Sequence, residues 1–303
     1  MFLCRRTLLA SAASALAGGF NSSLRAADGL APFDDLLTKF LADHKLPGAA
    51  AAVTRGGKLA YARGFGLADA ETKRPTKADA LFRIASVSKP ITGAAVMLLV
   101  DRGKVKLDEP VMSYLKLKPA VPPGETFDTR WEKVTVRQCL QHTGGWDRDR
   151  KGGFDPIGIP QRITRALQLD GPPSPDDVVR YMMGRPLDFA PGARMAYSNL
   201  GYLVLGRVIE AATGQRYEPW VVANVLRPCG AGGMRLARGV PEKRAAAEVR
   251  YHDSQNRTGR CLYPPRVGQK VPLPDGAENV EAFEAHGGWV SSAVDLVRFA
   301  SAF

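Results

Sequence analysis

Phe82-Arg83-Ile84-Ala85-Ser86-Val87-Ser88-Lys89-Pro90 is the stretch from which the rest of the chain is read. The residues before it have strand character. After it Ile91, Ala94, Ala95, Leu98 and Leu99 are apolar at helical spacing. Ser86 therefore falls where a strand or loop turns into a helix, and Lys89 follows about one turn later on the same face. A serine in that place lies beside free backbone N–H groups and the positive end of a helix, which suit a developing oxyanion. A nearby cation stabilises its alkoxide, and a desolvated lysine can accept its proton. The plainer reading makes Ser86 or Ser88 a helix cap and Lys89 a surface residue of the first turn. An isolated Ser-x-x-Lys does not choose between the two.

Composition is that of a globular protein: 303 residues, 45% apolar and 24% charged, with no internal repeat or low-complexity tract. Length allows one large domain or two small ones. The N-terminus reads as a targeting segment. Arg5-Arg6 precede an apolar run from Leu8 to about Ala17, with Ala15-Leu16-Ala17 as an A-x-A cleavage site and Leu24-Arg25-Ala26 as a poorer one. Cys4-Arg5-Arg6-Thr7-Leu8-Leu9 resembles a twin-arginine signal. Residues 1–27 are thus expected to be a signal peptide, and the remainder an exported protein, periplasmic or secreted. No later stretch is long and apolar enough for a membrane helix.

Net charge is +12. A basic exported protein can attract anionic wall polymer or membrane surfaces. Here the basic residues are interleaved with acids, as in Asp147-Arg148-Asp149-Arg150-Lys151, and the charge is read as an aid to solubility. Of the four cysteines, Cys4 leaves with the signal. Cys229 and Cys261 could pair in an oxidising compartment, with Cys139 buried and free, and the sequence does not decide this. No Cys/His cluster has zinc spacing.

The pattern predicts a helix over Pro32–His44, with Phe33, Leu36, Leu37, Phe40 and Leu41 on one stripe. Ala49–Thr54 and Leu59–Phe65 follow as two strands joined at Arg55-Gly56-Gly57-Lys58. Ala68–Ala78 reads as polar loop, and the Ser86 helix runs to about Arg102. Short helices are expected through Tyr114 and over Val134–Gln141, the latter closed by His142-Thr143-Gly144-Gly145. Ser174-Pro175 marks a helix start. Pro186–Met195 reads as loop. Asn199–Ala212 is a helix stopped by Gly214, and Tyr217–Leu226 another. Residues 227–285 carry no assignable pattern. Ser292-Ala293-Val294-Asp295 resembles a capping box opening a last helix.

Tyr197-Ser198-Asn199, just before the Leu200 helix, is a second constellation. A tyrosine near a Ser/Lys pair can serve as phenolate base or proton relay if cations lower its pKa. An amide two residues on can bind a substrate carbonyl and hold the lysine. The structural alternative has Tyr197 packing and Asn199 capping the helix, and Asn199 could do both.

Ser86-Val87-Ser88-Lys89 and Tyr197-Ser198-Asn199, at this separation, resemble the serine β-lactamase-like family of class C β-lactamases, DD-peptidases and related serine esterases. Leu46-Pro47-Gly48, Leu140-Gln141-His142-Thr143-Gly144-Gly145, Pro191-Gly192, Leu205-Gly206 and Gly287-Gly288-Trp289-Val290-Ser291-Ser292 agree in order. The similarity runs from about residue 32 to the last residue. It implies an α/β (α+β) fold in which helices flank an antiparallel sheet beside an all-α region. It gives Ser86 the nucleophile role, Lys89 and Tyr197 proton transfer, and Asn199 a substrate contact. The Ser86 N–H would supply half of an oxyanion hole. No metal or organic cofactor is implied. The expected partner is a small-molecule ester, β-lactam or peptidoglycan-like substrate, and no nucleic acid.

In that family the segment around His142 is structural, so His142 is expected to close a loop. His286-Gly287-Gly288 could pass for the family's third motif, but the residues after it match a segment that precedes that motif. The motif is therefore expected to be missing, with residues 28–303 an incomplete hydrolase domain lacking its C-terminal strands. The leading expectation is an exported serine hydrolase, an esterase or broad β-lactamase-like hydrolase. The competing one is a non-catalytic homologue or binding module that keeps the cleft.

Overall fold

The computed structural model describes residues 31–303. The signal peptide expected over residues 1–27 lies outside them. In chain order the elements are α1 (Ala31–Asp43), β1 (Gly48–Arg55), β2 (Lys58–Asp69), β3 (Arg74–Pro75), β4 (Phe82–Arg83), α2 (Ser88–Asp101), α3 (Val136–Leu140), α4 (Pro160–Leu167) and α5 (Pro175–Met183). They continue with α6 (Asn199–Thr213), α7 (Tyr217–Val221), β5 (Arg235–Leu236), β6 (Thr258–Arg260), β7 (Lys270–Pro272), α8 (Glu284–Gly287), β8 (Trp289–Ser291) and α9 (Ala293–Ser301). Among the described residues no helix is long and apolar enough to cross a membrane.

The chain divides into two compact units. One holds residues 31–81, 222–234 and 291–303. Its antiparallel β1–β2 hairpin turns at Gly56-Gly57, whose φ values of 56° and 74° are those of a tight hairpin turn that favours glycine. Leu41, Tyr61 and Phe65 are buried together, with Leu37, Ala49 and Ala51 packed against them. The Tyr61 hydroxyl donates to Asp34 on α1, and α9 packs on β1. β2 runs to Asp69, beyond the Phe65 end that alternation predicts, and pairs with β3 inside the expected loop. The extension depends on Gly66 at φ +63° and on the Leu67 N–H reaching the Pro47 carbonyl at 2.7 Å. Apolar patterning registers neither feature.

The other unit holds residues 82–221 and 235–290, and with them every residue of the candidate site. Its core is built on α2 and α6. Ile91, Ala95, Val96 and Leu99 of α2 are buried, as are Leu200, Leu203, Val204, Leu205, Val208 and Ile209 of α6. Each fully buried Val, Leu or Ile side chain among them contributes about 1.5–3 kcal/mol. α3 and α5 begin with the reciprocal capping boxes Thr135/Gln138 and Ser174/Asp177. α4 escapes the apolar pattern because only Pro160 and Ile163 are buried in it. The unassigned stretch contains β5, β6 and β7. β8 lies between β4 and β5, and β6 pairs with β7. Cys139, Cys229 and Cys261 are all free thiols, so the pairing left open for Cys229 and Cys261 is not formed. Cys261 is instead buried with Val240, Leu262, Tyr263, Val271 and Ala277, its Sγ directed at the Tyr263 carbonyl.

α8 presses against both α2 and α6. Thr92 Oγ1 donates to the Ala285 carbonyl at 2.6 Å. The Tyr217 hydroxyl meets Thr92 at 2.6 Å and Trp289 Nε1 at 3.0 Å. Gly206 makes the α6–α8 approach possible, since a Cβ there would stand 2.7 Å from the Ala285 Cβ. Gly206→Ala should therefore cost about 1–3 kcal/mol as α8 is pushed off. A chemical-denaturation midpoint equal to that of the wild type would show that α8 yields freely.

Candidate active site

Ser86 lies in a single 3-10 turn, Ala85–Val87, that joins β4 to α2. Ala85 enters that turn at φ +44°, a left-handed conformation that is costly for a non-glycine residue. The Val87 N–H bonds back to the Ile84 carbonyl at 3.0 Å, and the Ile84 N–H to the Trp289 carbonyl at 3.0 Å. The strained turn is thus tied to β8, and Ser86 is presented outward while Ser88 and Lys89 are buried. Neither serine caps the helix. The N-cap position is Val87, with no side-chain cap bond, and the Ser88 hydroxyl accepts from the Trp289 N–H at 3.2 Å.

Lys89 is only 5% exposed, which removes the surface-lysine reading. Its Nζ meets three acceptors: Asn199 Oδ1 at 2.7 Å, the His286 carbonyl at 2.8 Å and Ser86 Oγ at 3.3 Å. An ammonium uses all three as a donor. A neutral amine has two N–H bonds, which match the two short contacts, and its lone pair then faces Ser86. Burial lowers the Lys89 pKa from its ordinary value. Tyr197 and Asp155 oppose that shift, and Arg148 adds to it.

The Tyr197 hydroxyl donates to Ser86 Oγ at 2.8 Å. Burial by itself would raise the phenol pKa. The hydrogen bonds with Lys89 and Ser86 and the charges of Lys89 and Arg148 outweigh it, and the net shift is downward. Lys89 Nζ lies 4.8 Å and the Arg148 guanidinium 4.7 Å from the centre of the tyrosine ring. The His142 ring stacks on Tyr197 at 4.6 Å, and its Nδ1 accepts the Ser198 N–H at 3.1 Å. That matches the loop-closing place expected for His142. Burial and the Lys89 charge lower its pKa.

Asn199 is the first residue of α6 rather than its cap, since Ser198 holds the N-cap position. The Asn199 amide is engaged at both ends, with Oδ1 on Lys89 and Nδ2 on Asp155 Oδ2 at 2.6 Å. All four residues singled out from the sequence therefore meet: Ser86, Lys89, Tyr197 and Asn199. Two further members join them, Asp155 and the His286 carbonyl. Asp155 stands in an Asp-Pro turn, a signature that marks only a cap. His286 takes part through its carbonyl, which no side-chain pattern reveals. An exposed serine touched by a buried amine and a phenol can attack a carbonyl carbon and pass its proton to either neighbour.

The Beta-lactamase family profile matches residues 33–302. The chain belongs to the Beta-lactamase family. It is 39% identical to esterase EstB of Burkholderia gladioli over 260 residues, 84% of this chain and 62% of that protein. Penicillin-binding protein 4* of Bacillus subtilis (strain 168) is 31% identical over 183 residues, 60% of this chain and 36% of that protein. The chain thus spans less than two thirds of the length of these relatives. Among solved structures, the octameric penicillin-binding protein homologue from Pyrococcus abyssi superposes with a TM-score of 0.63 at 25% identity. That match covers 90% of this chain and 56% of the other. The Beta-lactamase-family fold expected from the sequence, α+β with antiparallel sheets and flanking helices, is the fold observed.

His286 itself is 2% exposed, and its Nε2 has no hydrogen-bond partner. Burial, with the Lys89 charge second, pushes the imidazole pKa down to about 3 from 6.5. A neutral buried histidine contributes stability that is full above its unfolded value and lost as pH falls toward the folded one. That contribution should amount to about 2 kcal/mol between pH 7.5 and pH 5. His286→Leu should accordingly flatten the acid side of the stability-versus-pH curve. Parallel wild-type and variant curves from pH 7.5 to pH 5 would show that the imidazole can be charged in place.

Proposed function

We propose that the protein is an exported serine hydrolase that cleaves small esters through an acyl-enzyme on Ser86. The observation that carries this reading is the placement of Ser86 Oγ between the Tyr197 hydroxyl and Lys89 Nζ. Neutral Lys89 or the Tyr197 phenolate takes the Ser86 proton as Oγ bonds to the ester carbonyl carbon. The same pair returns that proton to the departing alkoxide, which leaves the acyl group on Ser86. Water then repeats the sequence and releases the acid. The Ser86 N–H, in the turn that leads into α2, is suited to the oxyanion of both tetrahedral states. Esterase EstB, the relative that shares 39% of residues, supports an ester over a β-lactam or peptide as substrate. The Arg5-Arg6 start, the apolar run and Ala15-Leu16-Ala17 support export.

Fluorophosphonate labelling of the full chain, mapped by mass spectrometry, should place the adduct on Ser86. An adduct on Ser88 or elsewhere, with Ser86 untouched, would overturn the assignment. Lys89→Ala and Tyr197→Phe should each slow p-nitrophenyl ester turnover on the order of 10²–10⁴-fold. Their combined loss should fall short of the product, because the two act as one unit. With Lys89 held below its ordinary 10.5, kcat/KM should rise with pH along a limb that flattens before that value. A folded chain with neither labelling nor turnover would favour the non-catalytic binding module.

A further inference from the structure

Asp155 is absorbed by no step of that reaction, yet it lies one side chain from Lys89. Asp155 Oδ1 accepts the Ile157 N–H at 3.2 Å, which caps the 3-10 turn Pro156–Gly158 and orients the carboxylate. Oδ2 accepts both Asn199 Nδ2 at 2.6 Å and Arg148 Nη1 at 3.0 Å. A carboxylate can only accept. It therefore forces the amide of Asn199 to point its NH2 toward residue 155 and its oxygen toward Lys89. An amide turned the other way would set NH2 against the lysine amine and remove one of the acceptors that hold Lys89 in the interior.

We propose that Asp155 is a positioning residue of the Ser86 site. It fixes which end of the Asn199 amide meets Lys89, holds the Arg148 guanidinium over the Tyr197 ring, and sets a negative charge next to the Asn199–Lys89 pair. This rests on the hydrolase reading for its rate measurement alone. The groups facing Lys89 come from every surrounding segment: Asn199 and Tyr202 from α6, Tyr197 just before it, His286 from α8, His142 after α3, and Arg148 with Asp155 from the connecting loop. Among them Arg148, His142 and His286 add positive charge or none. Asp155 and ionised Tyr197 are the groups that favour the Lys89 ammonium. Removing Asp155 therefore lowers the pH at which Lys89 gives up its proton.

Asp155→Asn separates this role from a purely structural one. Asparagine caps a helical turn about as well as aspartate, so the loop keeps its cap while the charge and the one-way acceptor are lost. The 13Cε shift of Lys89 in lysine-labelled full chain, assigned with Lys89→Arg, reads the titration without any turnover. The midpoint should fall by about one pH unit in Asp155→Asn. In p-nitrophenyl ester hydrolysis the acid limb of kcat/KM should move down by the same amount. kcat should drop about tenfold in Asp155→Asn and further in Asp155→Ala. An unchanged Lys89 midpoint in a folded Asp155→Asn variant would overturn the proposal, whatever Asp155→Ala does. Wild-type protein that titrates as expected but shows no Ser86-dependent turnover would refute the hydrolase reading and leave the role of Asp155 standing.

Discussion

A buried lysine amine must have its hydrogen bonds met inside the protein, or it moves to water. Lys89 meets that demand with acceptors from three places: the Ser86 hydroxyl ahead of α2, the Asn199 amide at the start of α6, and the His286 carbonyl on α8. This single nitrogen draws three elements to one point. Its position also determines what Ser86 can do. A lysine left in solvent would stay an ammonium at neutral pH and could not take a proton.

Much of the surrounding unit serves to hold those acceptors still. α8 is only four residues long and begins at Glu284 with φ +28°, a conformation that costs energy for a residue with a side chain. Glu284 is fastened by a buried ion pair to Arg207 of α6, which also reaches Asp176 at 3.2 Å and Glu210 at 2.7 Å. Burial pushes the Glu284 carboxyl up to about 7, against the pull of Arg207. The pair is therefore a poor source of net stability, since its desolvation offsets most of its attraction. Its effect is geometric. It fixes the start of α8, Thr92 fixes Ala285, and the next carbonyl is the one that Lys89 uses. Gly206 and the Tyr217–Trp289 contact close the same joint from the other side.

The polar ring around Tyr197 follows the same logic. His142 enters its position at φ +58°, closes the loop through its carbonyl to the Ala196 N–H at 2.9 Å, and leaves its ring stacked on the phenol. Arg148 covers another part of that phenol and is anchored by Asp155. Tyr197 is thereby fixed by flat neighbours and lowered in pKa by cations, two effects that suit a proton relay and that no local sequence pattern encodes.

By itself the sequence determined the family, the Ser86 turn leading into a helix, the hairpin at Gly56-Gly57, the capped helices at Ser174 and Ser292, and the meeting of Ser86, Lys89, Tyr197 and Asn199. These are legible because helical spacing, turn glycines, caps and the Ser-x-x-Lys and Tyr-x-Asn motifs are local and written in side chains. Only the tertiary structure decided the rest. It made Asn199 a bridge instead of a cap, extended β2 to Asp69, left Cys229 and Cys261 as free thiols, and brought Asp155 and the His286 carbonyl to the site. The physical reason is that a bridge needs partners distant in sequence. A backbone carbonyl carries no residue-specific signal, and Asp-Pro reads as a cap until Asn199 is folded against it.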